Sequence, residues 1–395
     1  MLALVVKQLL RSQPNSSTTR GLLRRVQYDC RRAIATTSEI ATKTPPTIVR
    51  RRSKTANGER SVGDEIDQQY TLSWSGATPR TVLIIKKAND KQVDTALVRI
   101  SQWLNQAYPQ INVVLEPQVY QQFHHLLPSV RTIAPGSIGE YTRVVDFVVT
   151  LGGDGTFLHV SSLFHSQVPP IIPFSMGTLG FLLPFNVADF QSQLQKVIEG
   201  TATLLPRTRL TYSKRTFDGS VDKQGPVNIT NEACIHRGTY PHLTTISCYL
   251  NDHLLTTSVG DGIIVGTPTG STAYSLSAGG PIVHPLVSSM IVAPVCPRSL
   301  SFRPLMLPSN SVVKLQVHQE SRGRATAYID GRDCGELLQG EYIEIRQSPH
   351  PLMCVNREDL AAGWALDINQ LLKFNRTFSY PHESLFGDDD PEGQD

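Results

Sequence analysis

Apolar residues follow two rhythms along this 395-residue chain. From Thr81 onward, short apolar runs alternate with helical spacing. Val82-Leu83-Ile84-Ile85 predicts a buried strand. Over Asp90–Asn105, Val93, Leu97, Ile100 and Leu104 recur every three or four residues and predict a helix. Ile111–Leu115, Val144–Leu151 and Ile171–Phe174 predict further strands, with a helix over 156–165. Apolar strands alternating with helices predict an α/β domain whose parallel sheet is covered on both faces.

Past about residue 205 the period becomes two. Ile246, Cys248 and Leu250 alternate with polar residues, and Asn251-Asp252 marks a turn. Val313, Leu315 and Val317 alternate in the same way, as does Tyr342–Ile345. Asp330-Gly331 after Ala327-Tyr328-Ile329 is a hairpin signal. This texture predicts an antiparallel β domain over 201–349. Helical texture returns over 356–374, so residues 350–383 are assigned back to the α/β domain of 80–200. Residues 61–79 read as a linker. The acidic stretch 384–395 reads as a disordered tail.

Composition is ordinary for a globular protein and excludes collagen-like, wholly disordered and disulfide-scaffold classes. Charge adds one feature. Residues 1–60 hold 13 of the 37 Lys and Arg but only 3 of the 34 acids, a net of +10 against −7 for the remainder. Lys7 and Arg11 stand four apart, as do Arg20 and Arg24, and Leu2, Val5, Val6, Leu9 and Leu10 form an apolar face. Arg-rich, Ser-rich and acid-poor, the segment reads as a transit peptide for the mitochondrial matrix. The competing reading is a disordered basic arm that binds an anionic surface. Cleavage fits after Arg31-Arg32 or near Arg50–Arg52. The positive charge lies outside the part that reads as folded, which points away from nucleic acid. No run of about 18 apolar residues occurs, so no membrane insertion is predicted. Six dispersed cysteines without zinc spacing read as reduced thiols. His124-His125 reads as surface.

Chemistry concentrates in two glycine-rich segments. Gly152-Gly153-Asp154-Gly155-Thr156 follows a predicted buried strand and opens a helix, so it sits at the carboxyl end of the sheet. Its glycines permit close approach of a ligand, and its N–H groups can cradle phosphate. A carboxylate there repels phosphate unless it meets a hydroxyl or a metal, which makes Asp154 a candidate proton acceptor. Gly152, Gly153, Gly155 and Thr156 are the candidate ATP-phosphate residues. Neither a P-loop nor a complete dinucleotide fingerprint is present. The second segment, Thr267–Ser277, carries seven hydroxyls in eleven positions, and Tyr274 offers a ring face.

Four segments in order, Gly152–Thr156, Gly177–Leu182, Asn231-Glu232 and Asp261–Gly280, resemble the NAD kinases over residues 80–375. The resemblance implies a nucleotide-binding α/β domain, a β-sandwich-like domain and an active site between them. It implies transfer of the ATP γ-phosphoryl to the adenosine-ribose 2′-hydroxyl of NAD or NADH, with Mg²⁺ or another divalent cation. Asp154 matches the proton acceptor, with Gly155 beside it. His159, Asn231, Glu232, Asp261, Thr272, Ala273, Tyr274, Ser275, Leu276 and Ser277 match dinucleotide-binding positions. A homo-oligomer is also implied. From the residues alone, Asn231-Glu232 reads as a surface turn and His159 could be structural. Met176 and Cys296 depart from the family's usual residues. The competing functions are a lipid or sugar-phosphate kinase sharing the Gly-Gly-Asp-Gly turn, and a non-catalytic dinucleotide sensor.

Overall fold

A computed structural model describes residues 46–51, 69–74, 76–134, 138–177, 179–222 and 225–373. The segment 1–45, which carries most of the predicted leader, and the predicted acidic tail lie outside the described residues.

The first layer is a ten-stranded sheet. Its centre is parallel. Asn112–Leu115, Thr81–Lys86, Phe147–Gly152 and Ile171–Ser175 lie side by side in that order. Consecutive side chains on these strands enter different cores. Val82, Ile84, Phe147 and Val149 pack in one cluster, and Leu83, Ile85, Val148 and Ile171 in another. That two-sided burial is why the strands read as unbroken apolar runs. The helix Lys91–Ala107 covers the first face through Val93, Leu97, Ile100 and Leu104, all fully buried. Its start is fixed by Asp90, whose carboxylate accepts from the N–H groups of Gln92 and Val93. Phe157 and Val160 of the helix Asp154–Leu163 cover the second face.

Leu352–Val355 pairs in parallel with Ile171–Ser175, which brings the C-terminal segment back into this sheet. Two boundaries differ from the sequence-based expectation. Thr203–Arg207, placed in the β domain by the 200/201 division, pairs antiparallel with Leu352–Val355 and belongs to the sheet of the first domain. Its antiparallel pairing mimics the texture of the domain that follows. The linker assigned to 61–79 contains the strand Gln69–Ser73, which pairs with Thr203–Arg207 and with Thr47–Arg51. Tyr70, Leu72 and Trp74 alternate with polar residues there. Leu72 is fully buried, and the Trp74 indole N–H donates to the Val197 carbonyl at 2.6 Å. The strand Thr47–Arg51 likewise falls within the segment 1–60 that reads as leader.

The second domain is two six-stranded antiparallel sheets facing each other. Leu210, Ile246, Leu315 and Ile343 of one meet Ala233, Ile235, Ile263, Val265 and Met290 of the other in a shared core. The outer face of the sheet containing Glu232–His236 is covered differently. Cys234, Ile264, Ile291 and Ala293 pack there against Val283 and Ala278. The hydroxyl-rich segment is thus pinned between that sheet and the first domain.

Candidate active site between the two domains

The Thr81–Lys86 strand is the switch point of the parallel sheet. Its sequence-adjacent strand Asn112–Leu115 lies on one side, and Phe147–Gly152 lies on the other. Open α/β sheets bind ligands outside the carboxyl ends at such a point. A cavity of about 910 Å³ sits there, lined among others by Lys86, Lys87, Glu116, Gly153, Gly155, Thr156 and His159.

The glycines of the turn divide the work. Gly152 has φ +153, and an added Cβ would come within 2.4 Å of Thr156 Oγ1 and 2.9 Å of Lys87 Cβ. It is glycine for the fold. Gly153 and Gly155 would meet nothing within 4 Å. They are glycine on the cavity side, where a ligand can reach the backbone. Of the three, Gly152 alone has a positive φ.

Asp154 is the first residue of the helix and is exposed at the surface of the cleft. A Cβ built on Gly180 would lie 3.6 Å from its Oδ1, so the carboxylate rests against the 177–182 loop. Desolvation by the protein crowded around it pushes its proton affinity up, and the positive charge of Arg207 opposes that. His159 follows on the same helix, its Nε2 2.8 Å from Glu116 Oε1. It therefore belongs to the cavity with Lys86 and Lys87.

The second wall is built around Glu232. It opens a strand and is 8% exposed, which corrects the surface-turn reading of Asn231-Glu232. Asp330 holds this turn in place: its carboxylate accepts from the N–H groups of Thr230, Asn231 and Glu232 at 2.7–3.2 Å. Burial first, and then the charge of Asp330, push Glu232 up to about 7. Glu232, Cys234, His236, Tyr274, Tyr328 and Gly331 line a second cavity of about 240 Å³. Tyr274 is partly exposed beside it.

The hydroxyl-rich segment packs against the same turn. Thr267 donates its N–H to the Asn231 carbonyl at 2.9 Å and its hydroxyl to the Thr230 carbonyl at 2.6 Å. An added Cβ on Gly270 would come within 2.1 Å of the Asn231 oxygen, so only glycine fits. Thr269–Thr272 and Tyr274–Ser277 form short helical turns joined at Ala273. Ser275 is fully buried, Thr272 and Leu276 are half-buried, and Ser277 is exposed. Asp261 is not a free carboxylate: Arg237 Nε approaches its Oδ1 at 2.6 Å.

The predicted residues therefore form two groups. Gly153, Gly155, Thr156 and His159 share the first cavity, next to Asp154; Glu232 and Tyr274 share the second. Sequence reading passed over Lys86, Lys87 and Glu116, whose signal was only their position at strand ends. It took Asp330 as a hairpin residue and nothing more. It also missed Arg207, a charged residue closing an apolar strand.

Known proteins match this arrangement. The ATP-NAD kinase N-terminal domain family matches residues 82–202, and the ATP-NAD kinase C-terminal domain family matches residues 230–357. The mitochondrial NADH kinase pos5 of Schizosaccharomyces pombe is 40% identical over 311 residues, covering 78% of each chain. The mitochondrial NADH kinase POS5 of Saccharomyces cerevisiae is 36% identical over 353 residues, covering 78% of this chain and 83% of its own. A crystal structure of yeast NADH kinase complexed with NADH superposes with a TM-score of 0.76 at 32% identity, covering 87% of this chain and 97% of that one. Two matched domains in order, on the fold whose junction carries the Asp154 turn and the Glu232 pocket, show that the chain belongs to the ATP-NAD kinase family.

Proposed function

We infer that this chain uses ATP to phosphorylate the adenosine-ribose 2′-hydroxyl of NAD or NADH, and that Asp154 receives that hydroxyl. The observation that carries the assignment is the placement of Asp154. It stands between Gly153 and Gly155, which line the large cavity, and its carboxylate lies against Gly180 of the facing loop.

The triphosphate fits the large cavity. Gly153 and Gly155 leave room beside the backbone at the amino end of a ten-residue helix, where N–H groups face outward. Lys86 and Lys87 line this cavity, paired with Asp94 and Asp90, and its lining acid Glu116 is engaged by His159. The dinucleotide fits the Glu232 side, where a buried carboxylate and the Tyr274 ring offer a hydroxyl acceptor and a stacking face. His159 is reassigned by this reading to the ATP side.

The 2′-oxygen attacks the γ-phosphorus, the bond to the β,γ-bridging oxygen breaks, and ADP leaves. The hydroxyl proton passes to the Asp154 carboxylate. Such transfers need alignment and charge neutralisation more than a strong base, so Asp154 acts first by orienting the hydroxyl. No group of three or more His, Cys, Asp or Glu able to hold a metal occurs among the described residues. A magnesium ion fits this site as part of Mg-ATP, held largely by phosphate oxygens and water. The relatives' mitochondrial names and the basic leader support a mitochondrial location. The homo-oligomer remains a proposal.

Purified full-length chain with Mg-ATP and NAD or NADH is expected to form NADP or NADPH. Asp154→Asn is expected to lose about 100-fold or more in kcat with dinucleotide affinity nearly kept. Full activity in that variant would sink the assignment.

A further inference from the structure

Arg207 and Arg209 are both buried, two residues apart, where the chain crosses from the first domain to the second. Their surroundings differ. Arg209 donates to three backbone carbonyls, those of His350, Phe164 and Ser166. It is a clamp that joins the far end of the helix begun by Asp154 to the segment around His350. Arg207 reaches into the active site instead. Its Nη2 donates to the Phe181 carbonyl at 2.6 Å, and its Nη1 to the Thr269 hydroxyl at 3.3 Å. Phe181 belongs to the loop on which Asp154 rests, and Thr269 belongs to the hydroxyl-rich segment beside the Glu232 turn. The guanidinium thus touches both walls.

Its electrostatic position is equally specific. Arg207 is 3% exposed and makes no carboxylate contact within 4 Å among the described residues. A buried cation among neutral groups, here two oxygens and the nearby Cys354 thiol, is costly unless nearby negative charge compensates it. Asp154 and Asp367 both feel its field, and Nε has no partner among the described residues.

We propose that Arg207 is a positioning residue for phosphoryl transfer, tying the Phe181 carbonyl to the Thr269 hydroxyl so that the Asp154 side and the dinucleotide side of the site keep one spacing. The inference rests on the assignment of Asp154 made above. A planar guanidinium can serve both acceptors at once, whereas an ammonium of similar length serves one. Small displacements between reacting groups cost rate far more than they cost binding.

The test is steady-state kinetics on full-length Arg207→Met, Arg207→Lys and Arg209→Lys, with thermal unfolding of each and Asp154→Asn as control. Arg207→Met is expected to lose about tenfold or more in kcat, with KM for ATP and dinucleotide each within about threefold. Arg207→Lys keeps charge and bulk, and is expected to fold and show a smaller kcat loss with the same unchanged KM values. Arg209→Lys is expected to lower Tm while the folded enzyme keeps its kcat within about twofold. Folded Arg207→Met with wild-type kcat overturns the proposal. Should Arg207→Met fail to fold, Arg207→Lys decides, and wild-type kcat there also overturns it. A fully active Asp154→Asn removes the assignment beneath the proposal. An inactive Asp154→Asn beside a fully active Arg207→Met overturns the bridge alone.

Discussion

The hydroxyl of Thr230 donates to the hydroxyl of Ser161 at 2.7 Å. Ser161 lies on the helix that begins with Asp154. Thr230 opens the turn that continues into Asn231 and Glu232. Both are buried, so one hydrogen bond between two small side chains couples the helix that begins with Asp154 to the Glu232 turn. Thr230→Val keeps the shape and leaves the Ser161 hydroxyl without this donor. The cost is about 1–3 kcal/mol, measured by urea unfolding. kcat should fall further than the loss of folded protein explains.

Glu232 makes stability depend on pH in a predictable direction. Its carboxyl titrates normally near 4.5 and is pushed up to about 7 in the folded protein. Between those values the folded state holds a proton that the unfolded chain has released. Its contribution to stability therefore falls as pH rises through that window, and levels off above it. Glu232→Gln removes the penalty. It is expected to exceed wild type in stability by up to about 3 kcal/mol at pH 8 and to match it near pH 4. Denaturant titrations at both pH values check this; an equal difference at both refutes it.

Asp330 satisfies three consecutive N–H groups that no strand partner could reach together. Asp330→Ala leaves them buried and unpaired, at about 3 kcal/mol or more, and should leave little folded protein at 37 °C. Asp330→Asn keeps an acceptor oxygen and should fall between. Dinucleotide affinity by calorimetry is expected to follow the same order.

The glycine turn separates fold from binding. Gly152→Ala forces a Cβ onto Thr156 and Lys87 in a backbone conformation that favours glycine, and should cost about 2 kcal/mol or more in stability. Gly153→Ala and Gly155→Ala meet no protein atom and should leave Tm nearly unchanged. They intrude on the cavity instead, so KM for ATP should rise about tenfold. Unchanged KM values would mean that the phosphates lie elsewhere.

Much of the fold was legible because local chemistry and tertiary role agreed. Val82–Ile85 is apolar without interruption, and Phe147–Leu151 is apolar but for the buried Thr150, because both faces of their sheet are buried. Asn251 and Asp252 both adopt positive φ at the turn expected of them. The misplaced boundaries have one cause. Thr203–Arg207 and Gln69–Ser73 are antiparallel strands appended to a parallel sheet, and nothing in a strand's own residues names the sheet it joins. Glu232 reads as a surface residue because charge normally stays in water, and only the neighbourhood of Asp330 and Tyr274 shows it held inside.

What the chain determined by itself was the set of parts: a glycine turn with an acid at a helix start, a hydroxyl-rich segment, and two rhythms of apolar residues. Those features depend on neighbours a few residues away, so they survive in one dimension. Tertiary structure decided which parts meet. Arg207 stands 53 positions after Asp154 and 62 before Thr269, and Asp330 stands 98 after Glu232. Electrostatics and hydrogen bonding act through space over a few ångströms, and only the packing of the two domains brings such groups within that range.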